Sequence, residues 1–430
     1  MMKAKVITLG CKVNQYESEA MLSSLLQHGF AAAEDKETAD VVILNSCTVT
    51  AESDRKVRQI FRRAKKDNPD AVMVLTGCMA QAFPEDARRL EEADIILGTS
   101  NRKRLVPDLL AFLSARQRII DIAPHTNDEK FENLNVENFT GRTRAFVKIE
   151  DGCNRFCSYC IIPYARGRVR SKPLEDLKAE LAGLGANGYK EVVLTGINLS
   201  AYGQEFGLHL CDAIEAACAT PGIERVRLGS LEPEQLSEDV IRRMAKQKKL
   251  CPQFHLSLQS GCDATLKRMN RHYTADEYRT IVRNLRAAFE NAAITTDIMV
   301  GFAGETDEEF AESLAFAEEI AFAKVHVFAY SRRPGTRAYD MGDQLTNAVK
   351  EARSHEMIRV TTATQQAFFK AQIGRTEEVL FEREIQKGVW EGYSMNYTPV
   401  AVASGTSLAG EIRSVRIESC TDTHCMGIVL

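Results

Sequence analysis

The sequence predicts an α/β protein of three domains, and three observations support this prediction. A chain of 430 residues is longer than one hydrophobic core usually organises. Short apolar runs alternate with helical patterns in two successive series, as in parallel sheets covered by helices. The last stretch of the chain, from residue 372 onward, changes to short strand patterns separated by Gly and Ser turns.

The first series predicts a doubly wound parallel-sheet domain over residues 1–120. Its strand candidates are four apolar runs, which begin at Lys5 ("KVITLG"), Asp40 ("DVVILN"), Ala71 ("AVMVLTG") and Asp94 ("DIILG"). Its helix candidates lie near 14–28, 52–67, 82–91 and 102–115. Each strand is thus followed by a helix, which is the order that places parallel strands side by side.

A polar segment without periodicity, 121–140, is predicted to link this domain to a second one over 141–371. Six β-α units in the second domain suit an open barrel or a wide parallel sheet. Their strand candidates begin at Ala145, Glu191, Arg225, Phe254, Ile294 and Lys324. Helical patterns fall near 174–187, 234–248, 274–290, 306–320 and 345–373.

Residues 372–430 are predicted to form a small all-β domain. Its strand candidates are "EEVLFERE", "YTPVAVA" and "AGEIRSVRIESC". Trp390, Tyr393 and Tyr397 lie in this region and either stack on bases or fill the core of the domain.

The composition is that of a soluble globular protein, with 44% hydrophobic and 27% charged residues. No apolar run is long enough to cross a bilayer and no signal-peptide pattern begins the chain, so we expect a cytoplasmic protein without a membrane partner. In that reducing compartment the 12 cysteines are expected to be ligands, catalysts or core residues. The net charge of −4 means that an anionic partner must meet local basic patches.

Polar residues and glycines gather after the predicted strands of the second domain. In parallel α/β domains ligands bind beyond the carboxyl ends of the strands, so these residues are candidates for cofactor contacts. The candidates are Asn198 after the second strand, Glu232 after the third, Gln259 after the fourth, and Gly301 and Gly304 in "GFAGE" after the fifth.

Three cysteines follow the first strand of this domain in a C-x3-C-x2-C pattern: Cys153, Cys157 and Cys160. Such a set binds zinc, binds an iron–sulfur cluster, or simply packs. Structural zinc usually has four ligands in two pairs, and no fourth Cys or His lies nearby. Three thiolates on a four-iron cluster leave one iron open to an exogenous ligand, so the pattern favours an iron–sulfur cluster.

The first domain carries three more cysteines, each after a different predicted strand. Cys11 follows the first strand, Cys47 the second and Cys78 the third. One such cysteine would be read as a small buried residue. Three at equivalent strand ends predict a second cluster site, because the ends of neighbouring parallel strands converge.

C-x3-C-x2-C after the first strand of a six-unit β-α domain resembles the radical S-adenosylmethionine (radical SAM) superfamily. The resemblance implies that the open iron of a [4Fe–4S] cluster binds SAM, which is cleaved after one-electron reduction. It further implies that "GFAGE" contacts SAM, although many members have Pro where this chain has Ala303.

The whole chain resembles the methylthiotransferase family in "GCKVNQYESE", "NSCTVT", "TGCMAQ" and "CSYCIIPYARGR". This resemblance implies a cluster domain, a radical SAM partial (β/α)6 barrel and a C-terminal TRAM-like barrel. It implies that Cys11, Cys47 and Cys78 bind an auxiliary [4Fe–4S] cluster and that Cys153, Cys157 and Cys160 bind the SAM cluster. It also implies an electron donor, which the sequence does not identify.

"GCKVNQYE" and "CIIPYARGR" resemble the branch of this family that acts on N6-threonylcarbamoyladenosine (t6A) in tRNA. The resemblance implies that a methylthio group is added at C2 of t6A, next to the anticodon at position 37. The alternatives are the same chemistry on isopentenyladenosine in tRNA or on a ribosomal protein. A non-catalytic, zinc-stabilised RNA-binding factor is an alternative of a different class.

Two basic stretches are candidates for contacts with the anticodon stem-loop of such a tRNA. Arg58, Arg62 and Lys65 form a stripe along one face of the second predicted helix. Arg166, Arg168 and Arg170 follow the C-x3-C-x2-C motif. Either set fits phosphate contacts, and the helical stripe also fits an ordinary solvated face.

Overall fold

The fold is described from a computed structural model that covers residues 1–34, 37–134, 136, 139 and 142–430. The N-terminal domain is one parallel six-stranded sheet in the order β2-β1-β3-β4-β5-β6. Its elements along the chain are β1 (Lys3–Thr8), α1 (Lys12–Gln27), β2 (Ala31–Ala32), β3 (Val41–Ser46), α2 (Ala51–Asp67), β4 (Val72–Gly77), α3 (Cys78–Ala82), α4 (Pro84–Arg88), β5 (Ile95–Leu97), α5 (Leu105–Ala115) and β6 (Ile119–Asp121).

Helices cover both faces of this sheet, which confirms the doubly wound prediction. Every residue of β3 and β4 is buried, because their continuous apolar runs pack on two faces at once. On one face Val57 and Phe61 of α2 pack against the sheet, and on the other face Leu25 of α1 packs with Phe112 of α5.

Some details of this domain differ from the prediction. The helix predicted over 82–91 is two short helices, α3 and α4, with Pro84 at the first turn of the second. The edge strands β2 and β6 have only two and three residues, too few for a periodic signal. β6 ends at Asp121, one residue beyond the predicted boundary.

The second domain contains the six predicted β-α units and a few additional short elements. Its elements are β7 (Arg144–Lys148), β8 (Glu150–Asp151), α6 (Ile162–Arg166), β9 (Arg170–Ser171), α7 (Leu174–Ala186), β10 (Glu191–Thr195), α8 (Leu210–Ala219), β11 (Arg225–Leu228), β12 (Ser230–Leu231), α9 (Glu238–Ala245), β13 (Gln253–Leu256), α10 (Asp263–Arg268), α11 (Ala275–Ala288), β14 (Ala293–Val300), α12 (Asp307–Ile320) and β15 (Lys324–Ala329). The predicted strands are β7, β10, β11, β13, β14 and β15.

These strands form an open arc and not a closed barrel. One parallel sheet has the order β11-β10-β7, and a second has the order β12-β13-β14-β15. β12 follows β11 after the single residue Gly229 and carries the arc onward to β13. Among the described strands, β7 and β15 are the edges of the arc, so the interior of the barrel is accessible from the side.

Helix α8 was not among the predicted helices, although it has a well-formed start. The imidazole of His209 accepts a hydrogen bond from the Cys211 N–H at 3.1 Å, and Asp212 accepts one from the His209 N–H at 2.7 Å. This reciprocal arrangement is a capping box with His in place of the usual Ser or Thr. The unusual cap explains why the start of the helix was missed.

The predicted linker is partly packed, and its boundary at 140/141 lies outside the described residues. Val136 is 1% exposed and Phe139 is 4% exposed, and both join the core of the second domain. Phe139 contacts Tyr189 edge-on, with ring centroids 6.0 Å apart. These two residues, with Leu134 packed beside the same core, anchor this part of the segment against the second domain.

The chain ends in a closed five-stranded barrel in the order β16-β17-β18-β20-β19. The long helix α13 (Asn347–Lys370) leads into β16 (Thr376–Gln386), β17 (Val389–Ser394), β18 (Pro399–Ala403), β19 (Ile412–Cys420) and β20 (Cys425–Val429). Strands β17 and β20 were not predicted. None of the described helices combines the length and apolar character needed to cross a membrane.

Candidate active site

Cys11, Cys47 and Cys78 lie at the carboxyl ends of three neighbouring strands. They follow β1, β3 and β4, which are adjacent in the sheet. The first two loops touch: a Cβ on Gly10, whose φ is +117°, would lie 2.9 Å from the Cys47 Cβ and 3.3 Å from its Sγ. Glycine at this position therefore lets the Cys11 loop approach Cys47.

Cys47 and Cys11 lie close enough to Cys78 to affect its ionisation. The pKa of Cys78 is raised to about 12, mainly by burial and partly by the neighbouring Cys47 and Cys11, although Arg166 opposes the rise. Burial likewise raises the pKa of Cys47. Thiolates at this site thus need a compensating cation, and a bound metal cluster would provide one.

Arg166 connects this triad to the second domain. Its Nε lies 3.3 Å from the Cys78 Sγ. Its other nitrogens donate to Asn14 Oδ1 at 2.6 Å, to Glu17 Oε1 at 2.6 Å and to Asp151 Oδ1 at 3.3 Å. Arg166 is fully buried.

Glu17 is the centre of this buried ionic network. Lys148 lies 2.8 Å and Arg102 lies 2.9 Å from its carboxylate, in addition to Arg166. Burial alone would raise the pKa of Glu17, but these three cations outweigh it and lower the pKa to about 2. A carboxylate of the first domain is therefore held ionised by cations from both domains.

The network corrects the prediction that Arg166 and Arg170 contact nucleic acid. Arg166 is 0% exposed and Arg170 is 7% exposed, and both guanidinium groups are used within the protein. Arg168, between them, is exposed and retains access to solvent. The sequence could not reveal this difference, because the partner carboxylate Glu17 lies 149 residues away from Arg166.

Cys153, Cys157 and Cys160 lie on the loop between β8 and α6. The Arg155 N–H points to the Cys153 Sγ at 3.4 Å, and the Arg271 Nη1 points to the Cys157 Sγ at 3.4 Å. Burial raises the pKa of Cys160 to about 12 and also raises that of Cys153. Ionisation of Cys153 and Cys160, like that of Cys47 and Cys78, is therefore favoured by a cationic ligand such as a metal cluster.

The start of this loop is tightly packed. Gly152 has φ +85°, and a Cβ there would lie 1.9 Å from the Arg168 carbonyl oxygen. Only glycine permits that approach.

The predicted cofactor contacts surround the second triad in part. Glu232 is ion-paired with Arg271, which also reaches Cys157. The side-chain oxygens of Asn198 and Gln259 are buried and have no hydrogen-bond partner within the described part of the chain. Unpaired buried acceptors are costly, and a ligand with N–H donors would satisfy them.

Gly301 and Gly304 form a turn after β14 with φ of +69° and +71°. The Gly301 N–H donates to the Glu305 carboxylate at 2.7 Å, and that carboxylate pairs with Arg353 at 2.6 Å. A Cβ on Gly301 would lie 2.4 Å from the Lys350 Cγ of α13. The turn is thus fixed by α13.

The donor set around Cys153, Cys157 and Cys160 fits a cluster that carries an amino-acid ligand. Three cysteines supply thiolates, and the amide oxygens of Asn198 and Gln259 are free to accept from the ligand's amino group. Within the described ranges, no three Cys, His, Asp or Glu side chains converge on a position for one metal ion.

A chamber of about 940 Å³ lies where the three domains meet. Cys11 and Lys12 line it from the first domain, His255 and Asp297 from the interior of the arc, and Tyr397 from the C-terminal barrel. The His255 Nε2 lies 3.3 Å from the Asp297 carboxylate. A substrate group in this chamber would reach the loop that carries Cys11.

The C-terminal barrel is bound firmly to the arc. Arg227 of β11 donates to the Met395 carbonyl at 3.0 Å and lies over the Tyr397 ring at 4.6 Å. Tyr393 and Tyr397 stack on each other with centroids 4.5 Å apart. Both tyrosines therefore pack at the junction of the barrel with the arc, whereas Trp390 packs against the core of the barrel itself.

A separate groove of about 470 Å³ lies beside the second triad. Phe156, Tyr164 and Arg168 line it, together with Arg88 of the first domain. Tyr164 is 51% exposed, and the Arg168 guanidinium lies 4.7 Å from the centroid of the Phe156 ring. Exposed aromatic and cationic groups together are suited to bind an unpaired nucleotide.

The predicted stripe on α2 is only partly available to a partner. Arg62 is exposed but forms an ion pair with Glu92 at 3.2 Å, and the Lys65 ammonium donates to the Ala71 carbonyl at 3.0 Å. Arg58 is half-buried. The stripe is therefore solvated and partly neutralised.

Sequence reasoning missed Lys12, Glu17, Asp151 and Arg271 as parts of this site. Glu17 and Lys12 lie within the motif around Cys11, but nothing in their spacing distinguishes them from surface charges. Asp151 is the last residue of β8, shortly after β7, and this position at a strand end is the one signal that was available.

Two family models match separate parts of the chain. Residues 3–98 match a family described as "Uncharacterized protein family UPF0004", and residues 147–317 match the Radical SAM superfamily. The radical SAM methyltransferase TsrM from Kitasatospora setae superimposes with a TM-score of 0.59 at 15% identity, covering 79% of this chain and 75% of that one. That likeness concerns the fold.

Curated relatives match almost the whole chain. The threonylcarbamoyladenosine tRNA methylthiotransferase MtaB of Bacillus subtilis is 36% identical over 95% of this chain and 92% of its own length. The tRNA-2-methylthio-N(6)-dimethylallyladenosine synthase of Pelotomaculum thermopropionicum is 35% identical over 100% of this chain and 98% of its own.

Proposed function

The chain belongs to the methylthiotransferase family of radical SAM enzymes, and on that premise we propose that it adds a methylthio group to C2 of t6A at position 37 of tRNA in the cytoplasm. The observation that carries this proposal is the chamber. Cys11 opens into it beside cationic and polar side chains that suit a polar, charged modified base.

Each cysteine triad is assigned one cluster. Cys11, Cys47 and Cys78 would hold the auxiliary cluster, and Cys153, Cys157 and Cys160 would hold the SAM cluster. When bound, the clusters and SAM supply one-electron SAM cleavage and a carrier for sulfur, which together functionalise an aromatic C–H beyond the reach of acid–base catalysis.

The chain's own residues orient and enclose the reaction. Asn198 and Gln259 would accept hydrogen bonds from the SAM amino group, since their oxygens are buried and unpaired among the described residues. Arg166 fixes the loop of Cys78 relative to the SAM loop. The C-terminal barrel forms one wall of the chamber.

For tRNA we assign the groove of Phe156, Tyr164 and Arg168 to an unpaired nucleotide of the anticodon loop. Arg58, Arg62 and Lys65 on α2 remain candidates for phosphate contacts farther along the stem. An electron donor of unidentified kind completes the reaction.

Mass spectrometry of tRNA nucleosides from a deletion strain tests the function. The expected result is loss of 2-methylthio-t6A with accumulation of t6A, restored by the wild-type gene but not by Cys11→Ala. Normal 2-methylthio-t6A would refute the proposal, and selective loss of the 2-methylthio derivative of isopentenyladenosine would move the chain to that substrate.

Anaerobic reconstitution tests the cofactor assignment independently. About eight irons per chain are expected, falling to about four when Cys11, Cys47 and Cys78 are all replaced by Ala. SAM cleavage under reductant should survive that triple replacement and disappear in Cys157→Ala. Bound zinc without SAM cleavage would support the non-catalytic alternative.

A further inference from the structure

Lys12 is a cation that lines the chamber and has no partner among the residues that the structure describes. It directly follows Cys11, begins α1 and lines the chamber with Cys11, Val13 and Gln15. Its side chain is exposed to the chamber. Over the described ranges of the chain, no hydrogen bond or ion pair engages its ammonium group.

The surroundings of Lys12 add positive charge and do not neutralise it. Arg144 and Arg227 are the cations whose positive charge acts most strongly on the Lys12 ammonium group. The nearby carboxylate, Glu191, is fully buried and accepts from the Arg227 Nε at 2.8 Å, so it is already engaged. The first turn of the 16-residue helix α1 contributes its own partial positive charge.

Other charged groups face the same chamber from different walls. Asp297 is paired with His255 at 3.3 Å, and Glu391 is paired with His424 at 2.7 Å. Lys324 is the first residue of β15 and lines the chamber. It therefore lies at the amino end of the strand, whereas the cysteine loops follow the carboxyl ends of their strands. Among the described residues of these walls, Lys12 is therefore the unpaired cation that lies next to Cys11, the cysteine of the proposed auxiliary-cluster site that lines the chamber.

Because the Lys12 side chain is accessible from the chamber and unpaired among the described residues, its charge is available to an anionic group of a ligand. The threonylcarbamoyl group of t6A ends in a carboxylate. Its attachment point, N6, and the reacting atom, C2, lie on either side of N1, so both belong to the same edge of the adenine ring. A residue adjacent to Cys11 in sequence is thus well placed to meet the substituent when C2 faces the sulfur-carrying site.

We propose that Lys12 binds the carboxylate of the threonylcarbamoyl group and thereby selects t6A over unmodified adenosine and over isopentenyladenosine. This inference rests on the proposed function. An uncharged isopentenyl group would leave Lys12 without a counter-charge, so the same residue that attracts t6A disfavours the alternative substrate.

Equilibrium binding of anticodon stem-loops tests the assignment without turnover. Three RNAs are compared, with t6A, isopentenyladenosine or adenosine at position 37, against cluster-loaded protein in the absence of SAM and reductant. Fluorescence anisotropy gives each Kd, and the ratio between RNAs cancels any fraction of inactive protein.

Wild-type protein should prefer the t6A loop to the adenosine loop by about 10-fold or more, and Lys12→Met should abolish that preference. Its affinity for the adenosine loop should stay unchanged, which shows that the variant is folded. Lys12→Arg should keep much of the preference because it keeps the charge. Lys324→Met, which removes the same charge elsewhere in the chamber, should retain the wild-type preference.

Two outcomes would overturn the proposal, and they are distinguishable. If the wild-type protein prefers t6A and Lys12→Met keeps that preference, Lys12 does not read the carboxylate and the proposed function stands. If the wild-type protein does not prefer t6A, and tRNA from the deletion strain retains 2-methylthio-t6A, the proposed function fails and the inference fails with it.

Discussion

Replacing Arg166 by Met is expected to loosen the junction between the first two domains. The guanidinium donates to Asn14, Glu17 and Asp151, at distances between 2.6 and 3.3 Å. Met fills a similar volume but offers no donor. Glu17 keeps its ion pairs with Arg102 and Lys148. Its carboxylate therefore loses one of three cationic partners and does not become an unpaired buried charge.

The expected cost is about 3–5 kcal/mol, as for removing one member of a buried ionic network. The loss should lower the free energy needed to open the contact between α1 and α6 locally, because those helices carry Glu17 and Arg166. Amide hydrogen exchange measures that opening directly. Protection in α1 and α6 should therefore fall by a factor on the order of 100 to 4,000.

Arg168→Met is the matched control, since Arg168 lies two residues away and is exposed. It should leave protection in α1 and α6 unchanged. Iron content provides a second readout: Arg166→Met should lose auxiliary-cluster iron, because Arg166 also favours the Cys78 thiolate. Equal protection and equal iron in the two variants would refute the role given to Arg166.

Three further predictions follow from single contacts. Burial and, to a lesser extent, Arg243 lower the pKa of His209, so as pH falls the unfolded chain binds a proton before the folded chain does. The α8 cap should therefore contribute fully above about pH 6.5 and be lost as pH drops through the folded pKa. Protection factors of the α8 amides, which are corrected for the intrinsic pH dependence of exchange, should fall with pH in the wild type and stay constant in His209→Asn. Gly152→Ala should abolish SAM cleavage while keeping auxiliary iron, because its Cβ would overlap the Arg168 carbonyl; intact cleavage would contradict the tight packing of this loop. Deleting residues 372–430 should lower tRNA affinity with both clusters retained, since the barrel forms one wall of the chamber; unchanged affinity on a filter-binding assay would exclude a role for the barrel in binding tRNA.

The positions of the strand-end loops were predictable because long buried strands dominate the sequence signal. β3 and β4 are buried at every residue, so their apolar runs determine where Cys47 and Cys78 emerge. The same reasoning placed Cys11 and Cys153 at the carboxyl ends of their strands. Elements that depend on few residues or on unusual caps, such as β2 and α8, lack that signal.

The ionic partners were not predictable because they are distant in sequence. Arg166 resembled the neighbouring Arg168 in every local property, yet one is buried and the other is exposed. The difference arises from Glu17, which the folded chain brings from another domain. Lys12 was overlooked for the opposite reason: its significance lies in the absence of a partner among the described residues, which only the chamber reveals.

The buried network also explains how two cluster sites on separate domains keep a fixed relation. Isolated domains would expose Glu17 on one side and Lys148 with Arg166 on the other, where water would solvate them. Once buried, each charge has lost its hydration and depends on its partners across the junction. Displaced arrangements of the two domains would leave unpaired buried charges, so the network selects one arrangement, and reactions that pass a group between the two sites require that constancy.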